Sequence, residues 1–189
     1  WQKFLGLYYF GNTYECPLCG NRFRKMLPGG TLHPVFKEYN IIGGGYRKNA
    51  VCPRCYCTDR DRLVFLYLKN HSDILGSSRS LLHIAPEGAL RALFMKEKNL
   101  DYITGFKNAD AYKGYYYQQS EQNIDITSIP FPDERFDMII CNHVLEHIPE
   151  DHIAIRELFR VLKPGGSAIL QVPISDRERT YENPAAVTP

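Results

Sequence analysis

Residues 125–173 read DITSIPFPDERFDMIICNHVLEHIPEDHIAIRELFRVLKPGGSAILQVP, and this block leaves the chain few folds to choose from. A loop, a strand, a sharp turn, a helix, a second turn and a second strand follow one another without a break. That is the grammar of a parallel α/β sheet, not of a bundle or a sandwich. Residues 136–141 (FDMIIC) are a nearly continuous apolar run, so both faces of that strand are expected to be buried. Asp151 is placed to cap the following helix, and Ile155, Leu158, Phe159 and Leu162 recur at i, i+3, i+4 and i+7, one stripe able to lie on a sheet. Lys163 is expected in the last helical turn, with Pro164, Gly165 and Gly166 stopping the helix. Residues 167–172 then supply the second strand.

Upstream, YECPLCGNRFR and AVCPRCYCTDRDR each contain C-P-x-C, a tight turn that points two sulfurs at one place. Cys16, Cys19, Cys52 and Cys55 together offer four thiolates, the number a closed tetrahedral zinc site requires. Such a metal is structural, since no coordination position is left open for chemistry. It would contribute directly to folding, because a segment so rich in glycine and proline buries little apolar area. Disulfides would suit a secreted protein, and a redox dithiol would leave one pair unexplained. Cys57 is a surplus thiol expected to stay free, and Cys141 should pack as a small hydrophobe inside its strand. Between the knuckles the chain is turn-rich. Gly43, Gly44 and Gly45 lack the setting of a nucleotide-binding loop and read as a flexible hairpin tip, and His33 reads as a loop residue rather than a ligand.

From Asp59 the pattern is helical, with Leu63, Leu66 and Tyr67 sharing a face, Asp59 and Asp61 in the first turn and Lys69 near the last. Residues 81–85 (LLHIA) then read as the first strand of the sheet, followed by Pro86, Glu87, Gly88 and a helix over about residues 89–98. Residues 101–106 (DYITGF) read as the second strand and residues 121–126 as the third. Residues 1–10 are strongly aromatic and fit either a strand or a helix end. The organisation expected is a zinc-binding module over 1–58, a connecting helix over 59–80 and an α/β core over 81–189.

Asp125, the Ile129-Pro130-Phe131 turn, Phe136-Asp137, the Asn142–His147 segment and Arg160-Val161-Leu162-Lys163-Pro164-Gly165-Gly166 together resemble the class I S-adenosylmethionine-dependent methyltransferases, in particular a subgroup with an LPF-like turn and an RVLKPGG helix end. The order C-P-x-C, C-P-x-C, R-x-R-L, L-L-H-I-A-P-E, C-N-H-V-L-E-H is similar to a bacterial group of zinc-knuckle methyltransferases. The resemblance implies an α/β, Rossmann-like sheet with strand order 3-2-1-4-5, its last two strands missing from residues 174–189. It implies S-adenosylmethionine as cofactor beside the structural Zn2+. Ala85, Glu87 and Gly88 would meet the methionine end, Asp110 the ribose, Asp125 and Ile126 the adenine, and Asn142 and His143 the transfer site, with His143, or less readily His147, as base. Two departures stand out: His83 and Ala85 where an acid and a glycine are usual, and Phe106 where the ribose-binding acid is usual.

Two other functions compete. His143-Val144-Leu145-Glu146-His147 spells H-x-x-E-H, a zinc-peptidase motif, but it needs both histidines on one helix and a third ligand, and Pro149 cuts that helix short. The altered loops at Ala85 and Phe106 leave room for a non-catalytic zinc-binding pseudoenzyme or interaction module. Charge bears on the acceptor: there are 12 Lys and Arg against 5 Asp and Glu up to Ser80, and 11 against 16 beyond it. A basic front half is compatible with an anionic substrate, whether a small molecule, a glycan or lipid intermediate, or RNA, though the charges are scattered among aromatics. No apolar run reaches membrane-spanning length and no secretion signal opens the chain, so a cytoplasmic setting is expected; oligomeric state is not legible.

Overall fold

The structure is a computed structural model that describes residues 2–107, 122–176 and 178. The expected ribose contact Asp110 and the tyrosine-rich run 111–119 lie outside the described residues, as do Trp1 and residues 179–189.

The strands that matter for the site are β6 (Ser80–Ile84), β7 (Asp101–Phe106), β8 (Gln122–Asn123), β9 (Phe136–Asn142) and β10 (Leu162–Gln171). They form one sheet in the order β10-β9-β6-β7-β8, and every pair is parallel. Before them come α1 (Gln2–Tyr8), β1 (Phe10–Glu15), β2 (Arg22–Phe23), β3 (Leu27–Gly29), α2 (Pro34–Glu38), β4 (Ile41–Ile42), β5 (Arg47–Val51) and α3 (Asp59–His71). Helix α4 (Gly88–Phe94) follows β6, α5 (Asp151–Val161) follows β9, and β11 (Ile174–Ser175) follows β10.

Every residue of β6 is buried, because apolar layers cover both faces of the sheet. On one face Leu82, Ile84, Ile139 and Cys141 pack with Ala154, Leu158 and Val161 of α5. On the other, Leu81, Met138 and Ile140 pack with Val64, Phe65 and Leu68 of α3 and with Leu90 and Phe94 of α4. All three helices run short of, or are rotated from, the sequence expectation. Helix α4 ends at Phe94 instead of near Lys98. In α3 the exposed residues are Leu63, Leu66 and Tyr67, while Val64, Phe65 and Leu68 form the buried face. In α5, Ile155 and Phe159 are exposed, Phe159 at 79%, and the face on the sheet is Ala154, Leu158 and Val161. Small Ala154 lets the helix lie close to the strands, which turns Phe159 outward.

Asp151 is the first helical residue of α5 and Glu150 holds the cap position without a side-chain bond. Strand β8 has two residues where six were expected. After it the chain curls, with Asp125 bridging to Ser128, although Ile124 and Ile126 stay buried. Strand β8 can approach β7 because Gly105 has no side chain: a Cβ there would lie 2.5 Å from the Gln122 carbonyl oxygen.

The residues that carried the resemblance act mostly as ties. Arg160 donates to the carbonyls of Ile129 and Phe131, at 2.9 Å each, and pairs with Glu157 and Asp133, so it staples the Ile-Pro-Phe turn to α5. Lys163 is not helical. Its Nζ sits 2.8 Å from Oδ2 of Asp137, which also accepts from Ser80 N (2.9 Å) and Ser80 Oγ (2.7 Å). This clamp joins the starting ends of β6, β9 and β10. Burial pushes the Asp137 carboxyl up, but the Lys163 and Ser80 bonds outweigh it and hold it well below the ordinary carboxylate range. A depressed acid lends stability that is whole above its unfolded pKa and is lost as pH falls through the folded one. Asp137→Asn should therefore lower stability at neutral pH by about 1–2 kcal/mol. It should also flatten the acid limb of a urea-denaturation series run below pH 4.

The N-terminal segment pairs β1 with β2 and β3 with β5, both antiparallel, and carries the knuckles at their ends. Leu18 packs both on the cysteine cluster and on the α3/α4 layer, and Ala89 of α4 also touches that cluster. Thr58 caps α3 in a reciprocal box with Asp61, so the second knuckle leads directly into the helix that lies on the sheet.

Candidate functional site

The cysteine cluster is assembled by two knuckles with the same backbone. In the first, Gly20 N donates to Cys16 O and Cys16 N to Asn21 O; in the second, Tyr56 N donates to Cys52 O and Cys52 N to Cys57 O. Gly20 (φ 66°) and Tyr56 (φ 59°) occupy the same left-handed position, which glycine takes freely and tyrosine under strain. The amides of Arg54 and Cys55 point at Cys52 Sγ, at 3.4 and 3.5 Å, as thiolate-stabilising donors. Sulfurs of Cys16, Cys19, Cys52 and Cys55 all lie within 4.8 Å of one another.

Cys16 to Cys55 is 3.7 Å and Cys19 to Cys52 is 3.8 Å. A tetrahedral ion with Zn–S of about 2.3 Å sets S···S edges of about 3.8 Å. The set therefore fits zinc. Hydrogen bonding from Cys16 takes the Cys52 thiol well below its ordinary range, while hydrogen bonding from Cys16 carries Cys55 above it and burial carries Cys19 up, so the fit to zinc rests on the sulfur geometry. Cys57 Sγ lies 3.3 Å from Cys16 Sγ, short of a ligand edge, so it sits beside the quartet. His33 caps α2, accepting from Val35 N, and is no ligand.

The second constellation lies at the carboxyl ends of the strands, where ligands of open α/β sheets bind. Beyond β6 the backbone turns at Ala85 with φ 48°, so alanine stands in a conformation suited to glycine. Glu87 follows and is a hub: Oε2 is 2.8 Å from His83 Nε2, and Oε1 accepts from Asn142 Nδ2 at 2.9 Å. His83, wholly buried, meets Tyr102 Oη with its other nitrogen at 2.9 Å. Burial pushes the Glu87 carboxyl up, but His83 and Asn142 outweigh it and bring it below the ordinary value. Burial pushes Asp61, at the start of α3, up, and the nearby Glu87 charge adds to this. A Cβ on Gly88 would meet nothing within 4 Å, so the space over that turn is open.

Asn142 is 3% exposed, and its Oδ1 has no donor; neither has the buried Oε1 of Gln171. Asn142 and Gln171 are register partners at the ends of β9 and β10. Asn142, bonded to the Glu87 carboxylate, and its strand neighbour Gln171 each keep a buried acceptor that suits a ligand carrying N–H donors or an ammonium. Gln171 and Arg60 were not legible as site residues. Arg60 opens the R-x-R-L run and Gln171 sits in no motif, and only the fold brings either to the strand tips.

His143 follows Asn142 with φ 55°, a strained place for a non-glycine residue. Its N donates to Gln171 O at 2.7 Å, its Nε2 is 3.1 Å from Arg60 Nη1, and its Nδ1 is 3.4 Å from Glu146 Oε1. His147 ends a 3₁₀ turn over Leu145–His147 and is exposed. The two histidines of H-x-x-E-H therefore do not share an α-helical face. Among the described residues the cysteine quartet is the one metal-binding group found. Burial pushes the Cys141 thiol up to about 12, leaving it unreactive.

Asp125 caps its own turn, Oδ1 accepting from Thr127 N (3.0 Å) and Thr127 Oγ1 (2.7 Å), while Oδ2 pairs with Lys107 at 2.8 Å. Lys107 and then Thr127 hold its carboxyl down to about 2. The Ile126 side chain is turned into the core.

Residues 88–170 match a family model described as methyltransferase domain. The arsenite methyltransferase of Aquipseudomonas alcaligenes is 29% identical over 114 residues, covering 59% of this chain and 30% of that protein. The demethylmenaquinone methyltransferase of Streptomyces griseus is 43% identical over 42 residues, 22% of this chain and 18% of that protein. The chain thus spans less than a third of the curated relatives it matches. Among solved structures, the YcgJ protein from Bacillus subtilis superposes with a TM-score of 0.44 at 24% identity, over 57% of this chain and 48% of that one. The chain has a methyltransferase-like α/β fold beside a four-cysteine cluster able to chelate a metal. No helix among the described residues is long and apolar enough to cross a membrane.

Proposed function

We propose that this chain is the cofactor-binding part of an S-adenosylmethionine-dependent methyltransferase of the LPF/RVLKPGG type, with a structural zinc in a module over 1–58, a connecting helix over 59–80 and the catalytic core over 81–189. The observation that carries it is the pair of donorless acceptors on register partners at the strand tips, Asn142 Oδ1 and Gln171 Oε1, with Asn142 bonded to the Glu87 carboxylate. Acceptors of this kind at the ends of neighbouring strands match the α-ammonium of an amino-acid moiety; Asn142 lies within the segment similar to methyltransferase domains, and Glu87 and Gln171 flank it. When bound, the cofactor supplies an electrophilic methyl group on a sulfonium sulfur.

Every other contribution comes from the chain. Glu87, Asn142 and Gln171 hold the methionine end, and the open space over Gly88 admits it. Asp110 takes the ribose. Asp125 receives the adenine amine at Oδ2 once Lys107, 63% exposed, swings into solvent, and the Ile126 backbone lies against the ring. Zinc held by Cys16, Cys19, Cys52 and Cys55 fixes the knuckles, and through Thr58 the start of α3, above the strand tips. Catalysis then rests on alignment of donor and acceptor, with Nε2 of His143 as the base.

The alternative is a pseudoenzyme, favoured by Ala85 and Phe106 standing where a glycine and an acid are usual. Calorimetry with S-adenosylhomocysteine on the zinc-loaded chain separates the two. Saturable heat is expected with Kd in the ~1 µM to 1 mM span of enzyme substrates. Asn142→Leu should weaken it by about tenfold or more, the equivalent of ~1.4 kcal/mol. No heat in the wild-type chain leaves the pseudoenzyme.

A further inference from the structure

Four arginines surround the path from the second knuckle to the strand tips, and three are anchored to the module itself. Arg47 is paired with Asp59 at 2.6 Å, Arg62 turns to the carbonyls of Cys57 and Asn49, and Arg54 packs along Gly6. Arg60 differs. Its guanidinium gives one N–H to His143 Nε2 (3.1 Å) and one to Gly43 O (3.1 Å), and among the described residues no carboxylate lies within ion-pair distance of it. A half-buried guanidinium whose partners are a ring nitrogen and a carbonyl holds a charge that no carboxylate pairs with among the described residues.

The placement gives that charge a purpose. With Arg60 donating to Nε2, the ring proton of His143 sits on Nδ1, towards Glu146. The lone pair a base would use is covered. Gly43, whose carbonyl holds Arg60, is held in turn by Arg47 Nη1 at 2.7 Å. Strand β4, just before it, pairs with β11, just beyond the end of β10. The inter-knuckle segment is thereby tied across the same end of the sheet. The triple glycine is no loose hairpin tip but a loop held by two arginines beside the site.

Resting on the methyl-transfer reading, we propose that Arg60 is the acceptor-recognition residue: it selects a methyl acceptor bearing an oxyanion, carboxylate or phosphate, and by pairing with that anion it uncovers Nε2 of His143. A bidentate guanidinium–oxyanion pair is stronger than a single bond to a neutral ring nitrogen, so the exchange is favourable only for an anionic acceptor. The acceptor's O–H or N–H proton then passes to Nε2, its lone pair forms the bond to the methyl carbon, and the electron pair of the broken carbon–sulfur bond stays on sulfur. Acceptor choice is thus built into the first turn after the zinc knuckle.

The test uses the zinc-loaded chain with 15N-labelled histidine, His143→Gln identifying the ring signal. Acetate and methyl phosphate are titrated separately, with and without S-adenosylhomocysteine. One or both should bind and shift the His143 Nε2 resonance, and the stronger of the two identifies the oxyanion. Arg60→Gln should weaken that binding by about tenfold or more, ~1.4 kcal/mol, and Arg60→Lys should recover part of it, with unchanged melting curves excluding unfolding. If neither anion moves the ring, or Arg60→Gln binds as wild type does, the inference is overturned while heat from S-adenosylhomocysteine keeps the methyltransferase reading. If the anion binds through Arg60 and S-adenosylhomocysteine gives no heat, the oxyanion site stands and that reading falls.

Discussion

Stripping the metal from this chain with a chelator should unfold the N-terminal module and lower the stability of the whole. The apolar cluster under the knuckles is small: Phe23 and Met26 are its large buried side chains, and the remaining buried members are Cys16, Cys52 and Cys57. The strands around it are two to six residues long, and β1 is exposed along most of its length. Burial on that scale cannot offset the backbone entropy of about 1–2 kcal/mol per ordered residue. Structural zinc in comparable sites contributes about 10–16 kcal/mol of apparent binding free energy, and a zinc held by this quartet would supply it as folding energy. Because Leu18 and Ala89 join the module to the α3/α4 layer, loss of the metal should be felt in the sheet as well. The expected measurements are one zinc per chain by atomic emission, and a large fall in thermal midpoint with excess chelator. Cys16→Ser and Cys52→Ser should lose the metal, whereas Cys57→Ser should keep it in full. A chain that refolds equally well with and without zinc would refute the structural role.

The quartet was legible in the sequence because its constraint is local. Four sulfurs in two C-P-x-C turns can satisfy one tetrahedron and little else, and residues far away do not alter that. Strand β7 ran over its expected residues, and β9, whose continuous apolar run announces a strand buried on both faces, was one residue longer than expected. Helix orientation was not legible in the same way. In α5 the period of Ile155, Leu158, Phe159 and Leu162 pointed to one face, but the sheet contacts the face of Ala154, Leu158 and Val161. Close packing rewards a small residue at the contact, and a hydrophobicity count gives alanine little weight. The strand-tip site was legible only where motif residues built it. Glu87, Asn142 and His143 lie at the strand tips as their motifs led one to expect, whereas Gln171 and Arg60 come there through parallel register and helix placement, which spacing does not encode.

The second large effect is expected at Glu87, where two substitutions separate support from function. Glu87→Leu leaves His83 Nε2 and Asn142 Nδ2 without their acceptor at a site where His83 is wholly buried, so a loss of about 2–4 kcal/mol is expected in urea denaturation. Glu87→Gln need not do this. The glutamine oxygen still accepts from Asn142, its amide donates to His83 Nε2, and His83 changes tautomer so that Nδ1–H points at Tyr102 Oη. Fold and hydrogen bonds survive while the charge goes. If the carboxylate serves the cofactor's ammonium, Glu87→Gln should melt close to wild type yet bind S-adenosylhomocysteine about 10–100-fold more weakly, ~1.4–2.7 kcal/mol. The pH dependence should follow the same charge. Its folded pKa is depressed, so what it contributes is whole above the ordinary carboxylate range and is lost as pH falls through the folded value. Wild-type affinity should drop along that acid limb, and the Gln variant's should not. Equal affinity of the two proteins at neutral pH would reduce Glu87 to a buried support for His83, and the ammonium would have to be held by Asn142 and Gln171 alone.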